Sequence, residues 1–143
     1  MRITVRFHPS VAPPADLEPF PGARLARLVE SEWAPVEGEI HCILTGDADL
    51  EDLNRQFRGI DAPTDVLAFP YDPETAGGSL GDVFVSLPRA EAQAAERGEP
   101  VVREVIRLFV HGILHLAGRD HETPESERAM LATQEEWVAR LVR

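Results

Sequence analysis

The sequence predicts a single α+β domain in which a small mixed sheet of about four strands packs with about five helices and carries a metal site on a central, buried helix. Three observations lead there. Two-residue and helical apolar periods follow one another in the order βαβαββααα, one late segment is apolar on almost every side, and 143 residues suit one domain with a real core.

Residues 2–7 (RITVRF) put Ile3, Val5 and Phe7 on one face of a half-buried strand. Pro9, Pro13, Pro14, Pro19 and Pro21 make 9–22 a connection. Leu25, Leu28, Val29 and Trp33 then fall at helical spacing and stop before Pro35. EIHCILT at 39–45 reads as a second strand, with His41 isolated in it and expected to be a structural or surface residue. Asp47 is expected to cap a helix from about 48 to 57 that buries Leu50, Leu53 and Phe57 and is closed by Gly59. Pro63 forces an extended entry into a strand at 66–69. Turn formers fill 71–78, and 80–87 (LGDVFVSL) is a further strand, with Val83 and Val85 alternating against Phe84. A short polar helix at 89–97 stops at Gly98. Pro100 opens VVREVIRLFVHGILHLA, whose apolar circumference predicts a buried helix. Thr123 resembles an N-cap, with Pro124, Glu125 and Glu127 in the first turn. The last helix runs to about 142, with Met130, Leu131, Trp137 and Leu141 for packing and Glu136 paired with Arg140.

The composition, 43% hydrophobic and 27% charged, is that of a folded soluble protein. No stretch approaches the roughly 18 apolar residues of a membrane span. MRITVRFHP lacks an apolar signal core, so the expected location is the cytoplasm, with no membrane partner. Cys42 is the only cysteine, which excludes an internal disulfide and reads as a small buried hydrophobe. A net charge of −11 repels polyanions and by itself argues against nucleic acid, without excluding a local basic groove. All 14 basic residues are arginine, whose fork suits phosphate.

The chemistry concentrates in HGILHLAGRDH at 111–121. His111 and His115, four apart on a helix, project about 40° apart from one face and suit a single metal ion. Gly118 can end the helix in a left-handed conformation, so that the returning chain brings His121 to the same ion. Three protein ligands with one open position are the arrangement of catalytic zinc. Neutral imidazole favours zinc, though nickel, copper and iron accept it too. The histidine and glycine spacing is that of H-E-x-x-H-x-x-G-x-x-H metalloproteases, but Gly112 stands where those enzymes carry their general base. Asp65, Asp82 and Asp120 are the candidate replacements; Asp120, next to His121, reads more readily as a turn residue or one orienting an imidazole.

Three stretches, LNRQFRGIDAPTDVLAF at 53–69, LGDVFVS at 80–86 and HGILHLAGRDH at 111–121, together resemble the YbeY family of bacterial endoribonucleases and ribosomal RNA maturation factors. The resemblance runs from about residue 40 to the C-terminus. It implies one zinc held by His111, His115 and His121, and a functional arginine that falls on Arg58. It also implies single-stranded ribosomal RNA as substrate, including the 3′ end of 16S RNA, and the small ribosomal subunit and an Era-type GTPase as partners. Two positions depart from the pattern: Arg119 where tyrosine is common, and Ala68 where serine is usual. From the residues alone, Arg58 would be a cation favoured by the dipole at a helix C-terminus. The expectation is a metal-dependent endoribonuclease in which zinc activates water and Arg58 polarises the scissile phosphate. A small zinc metallopeptidase and a non-catalytic zinc-bearing assembly factor are the rivals.

Overall fold

The computed structural model describes residues 1–14, 17, 20–33, 37–60, 64–119 and 122–142, so Pro63, Asp120 and His121 lie outside the described residues. The elements are β1 (Arg2–Phe7), α1 (Gly22–Glu32), β2 (Glu39–Thr45), α2 (Asp47–Arg58), β3 (Val66–Pro70), β4 (Ser79–Ser86), α3 (Leu87–Arg97), α4 (Val101–Leu116) and α5 (Pro124–Leu141). Their order is the one the apolar periods predict. The four strands form one sheet in the order β1-β2-β4-β3. β1, β2 and β4 run parallel, and β3 is antiparallel to β4 at the edge.

Strand alternation sorts the two faces. Val66 and Ala68 of β3 lie opposite Val85 and Val83 of β4, and these face α4. Leu67 and Phe69 point the other way with Phe84, toward α2. The core is continuous from Ile3, Ile40, Leu44 and Val83 through Val105, Phe109 and Ile113 to Trp137 and Val138, all of them buried. Phe109 meets Phe20 edge to face at 5.9 Å between ring centroids. α4 sits in the middle of this core, as its apolar circumference requires. None of the described helices is long and apolar enough to cross a membrane.

Gly112 and Gly81 set how closely α4 approaches the sheet. A Cβ on Gly112 would lie 2.4 Å from Val83 Cγ1 and 3.3 Å from Val66 Cγ2; one on Gly81 would lie 2.8 Å from Leu116 Cδ1. Bare backbone at these two points lets the helix lie against β3 and β4, which brings the histidines of α4 beside the edge strand.

Three expectations about single residues are corrected. Asp47 is the first residue of α2, not its cap: the capping group is Asp49, whose Oδ2 accepts the Gly46 N–H at 3.3 Å, while Asp47 accepts from Ser86 Oγ and Arg89 Nε. Phe57 is 66% exposed, because the inward stripe of α2 runs through Leu50 and Asn54, leaving its ring at the sheet edge. Leu131 is also exposed, since the buried stripe of α5 is Met130, Gln134, Trp137, Val138 and Leu141, one position out of phase with it. Thr123 caps α5 as expected, accepting the Ser126 N–H at 3.0 Å. Cys42 is fully buried; burial first, and then the charge of Asp82, pushes its thiol pKa up, so it acts as a hydrophobe. His41 shares a hydrogen bond of 3.1 Å with Thr4 Oγ1 across the β1–β2 pair, a structural role.

Candidate active site beside the edge strand

A cavity of about 400 Å³ opens between the edge strand and α4, lined on the strand side by Val66, Ala68 and Pro70 and on the helix side by His111, Gly112 and His115. Thr64 and Asp65 form its rim before β3, and Arg58 reaches it from the end of α2. The sequence brings Arg58 there through chain reversal: Gly59, at φ 68°, ends α2 in the left-handed region, and its N–H bonds to Arg55 O. The guanidinium then wraps the sheet edge, and Nη2 donates to Ala68 O at 3.3 Å. Arg58 is therefore more than a cation at a helix end: it shares a cavity with two of the three predicted ligands.

His111 and His115 stand one turn apart with ring centroids 4.9 Å apart and planes at 70°. Gly118, at φ 91°, terminates α4 as predicted, with its N–H on His115 O and that of Arg119 on Leu114 O, both at 3.0 Å. His121, the third predicted ligand, lies outside the described residues, and among the described residues no three ligand-type side chains cluster as a metal site. The donor chemistry of the two described imidazoles suits a metal. Nδ1 of His111 is 2.7 Å from Gln134 Oε1, so Nε2 is the nitrogen left to ligate.

The structure sorts the carboxylate candidates. Asp65 lines the cavity, with Oδ2 accepting from Gln93 Nε2 at 3.1 Å. Asp82 is on the opposite face, where it accepts from Tyr71 Oη at 3.0 Å and borders a separate cleft with Arg6 and His41. Asp120 lies outside the described residues. Of the two departures from the family pattern, Ala68 lines the cavity, whereas Arg119 is held by Glu32 and, at 3.3 Å, by Thr133 Oγ1, tying the end of α4 to α1 and α5.

Sequence reasoning missed the support behind the histidines. Arg107 and Glu104 of α4 are 3% and 1% exposed, and such charges are tolerated only when paired. Arg107 donates to Glu104 Oε1 at 2.5 Å, to Glu99 Oε2 at 2.9 Å and, fork to fork, to both oxygens of Glu135. Gln134 Nε2 in turn donates to Glu135 Oε2 at 3.0 Å. A charged pair at i, i+3 inside an otherwise apolar helix was the available signal.

Hydrogen bonds from Arg107 hold the Glu99 carboxyl below its ordinary value. For Glu135, burial pulls upward, but the hydrogen bonds from Arg107 and Gln134 and the neighbouring positive charge outweigh it and leave its pKa lowered too. Because both folded values are depressed, their stabilisation is complete above the ordinary carboxylate value of 4.5 and is lost as pH falls through the folded values. Urea midpoints measured from pH 7 to 3 should therefore hold to about pH 5 and then decline. Glu135→Gln should flatten part of that decline; an unchanged acid limb in this variant would remove Glu135 from the account.

The family model described as Endoribonuclease YbeY matches residues 22–142. The chain is similar to Endoribonuclease YbeY of Persephonella marina, 51% identical over 102 residues that cover 68% of this chain and 67% of that protein. It is likewise similar to Endoribonuclease YbeY of Pelotomaculum thermopropionicum, 43% identical over 120 residues covering 80% and 79%. Among solved structures, the solution structure of TM1509 from Thermotoga maritima matches with a TM-score of 0.65 at 31% identity, covering 97% of this chain and 88% of that one.

Proposed function

The chain belongs to the YbeY family, and from that premise we propose that it is a zinc-dependent, single-strand-specific endoribonuclease that matures ribosomal RNA, the 3′ end of the 16S RNA included. The observation that carries the reading is that Arg58, His111 and His115, distant in sequence, share one open cavity. His111 and His115, with His121 as the third ligand, would hold the ion. When bound, zinc supplies Lewis acidity at the reacting phosphate and its attacking water.

The remaining work falls to the chain itself. Arg58 offers forked N–H donors to a phosphate and stabilises the charge that develops on its oxygens. In a protein of net charge −11, this local cation offsets the general repulsion of a polyanion. Asp65 is the cavity carboxylate placed to accept a proton. On the other face of β3, Phe57, Phe69 and Tyr71 line an apolar cleft, an aromatic surface on which unpaired bases of a single strand stack.

The peptidase reading loses ground because Gly112 offers no carboxylate. The assembly-factor reading draws on the acidic charge, which suits docking on basic ribosomal proteins. The small ribosomal subunit, an Era-type GTPase and a cytoplasmic location complete the proposal. The test is metal content and cleavage of single-stranded RNA and of casein in parallel, with and without chelator. We expect one zinc per chain, chelator-sensitive RNA cleavage and intact casein. His115→Ala should lose both zinc and RNA cleavage; a metal-free variant that still cuts RNA would overturn the site, and cleavage that persists unchanged in chelator would point to contamination and leave the assembly factor.

A further inference from the structure

We propose that Gln134 and Glu135 of α5 are positioning residues that set the tautomer of His111 and so decide which of its nitrogens keeps a lone pair for a metal. This rests on the zinc reading above and extends it to residues outside the cavity.

The argument is one of donors and acceptors. Glu135, forked onto Arg107, is a carboxylate and can only accept. The group 3.0 Å from its Oε2 must then be the donor end of the Gln134 amide, Nε2–H. That orients Gln134 Oε1 toward His111, and a carbonyl oxygen can only accept. Nδ1 of His111, 2.7 Å away, must therefore carry the proton, which leaves the Nε2 lone pair to a metal. Turned over, the amide would set its carbonyl oxygen against the Glu135 carboxylate, so Glu135 holds Gln134 in this orientation. The chain Arg107–Glu135–Gln134–His111 thus prepares a ligand before any ion arrives. Its polarity is opposite to that of free histidine, which prefers the Nε2–H form.

Two readouts test this on the full-length protein. The first needs no metal: ¹⁵N imidazole shifts of the metal-free protein at about pH 8, above the usual histidine range, should show His111 with a protonated Nδ1 and a bare Nε2. The second is zinc affinity by competition with a chromophoric chelator. Gln134→Leu keeps the volume and removes the acceptor, and should weaken zinc by about 10- to 100-fold. Gln134→Glu keeps an acceptor for Nδ1 but sets its second oxygen against the Glu135 carboxylate, so affinity should be retained when Glu135→Ala accompanies it. Glu135→Ala frees the amide to rotate and should weaken zinc at least about threefold in the wild-type background and not at all beside Gln134→Glu, whose carboxylate has no donor end to misplace. An Nε2–H tautomer in the wild type, or equal zinc affinity in Gln134→Leu, would overturn the inference. Failure of the wild type to bind zinc would instead overturn the metal centre, with the tautomer measurement still deciding the role of Gln134.

Discussion

Arg58→Ala is expected to lower RNA cleavage by about a hundred- to a thousandfold, the effect of deleting one donor aimed at developing charge. Zinc content and the unfolding midpoint should stay at wild-type levels, because the side chain is exposed and its one described hydrogen bond, to Ala68 O at 3.3 Å, is long and solvent-accessible. Arg58→Lys should recover part of the activity at most, since an ammonium keeps the charge and loses the fork. Cleavage by Arg58→Ala at the wild-type rate would remove this residue from the mechanism. A fall in cleavage accompanied by lost zinc would instead make it a structural support of the metal site.

Gly112→Ala is expected to destabilise the fold even though alanine is the better helix former by about 1 kcal/mol. The added methyl would meet Val83 Cγ1 at 2.4 Å, and Val83 is a fully buried β-branched residue with little freedom to turn. Overpacking of this kind costs about 1–3 kcal/mol. At the short end of such contacts the clash outweighs the helical gain, and a net loss of about 1–2 kcal/mol should lower the melting temperature by several degrees. Gly112→Glu, which would restore the protease pattern, has the same clash plus a carboxylate to place, and should lower soluble yield sharply. Thermal melts of Gly112→Ala at or above the wild-type temperature would show that α4 can lift from β4 at no cost.

This second case changes what Gly112 means. In the sequence it marks the absence of a general base. In the fold it is the point at which the metal-site helix touches the sheet, so the glutamate is missing where its Cβ has no room.

The sequence by itself determined the order of elements, the α+β class, the buried character of α4 and the pairing of His111 with His115. Each of these follows from local periodicity or from spacing along one helix, which a linear chain displays directly. Phe57 and Leu131 were placed on the right helices with their side chains aimed elsewhere, because a shift of one residue turns a helical side chain by about 100° and only packing fixes the phase. Asp47 was misassigned because α2 begins at Asp47 itself, one residue before its expected start. The tertiary structure alone decided the rest. It ranked Asp65, on the cavity rim just before β3, over Asp82, which points to the far face of β4, and it brought Arg58 around the sheet edge. It also connected Arg107, Glu135 and Gln134 to His111, residues whose hydrogen bonds join α4 to α5 and so have no signature along either helix. The site is legible where one helix makes it, and hidden where separate elements must meet.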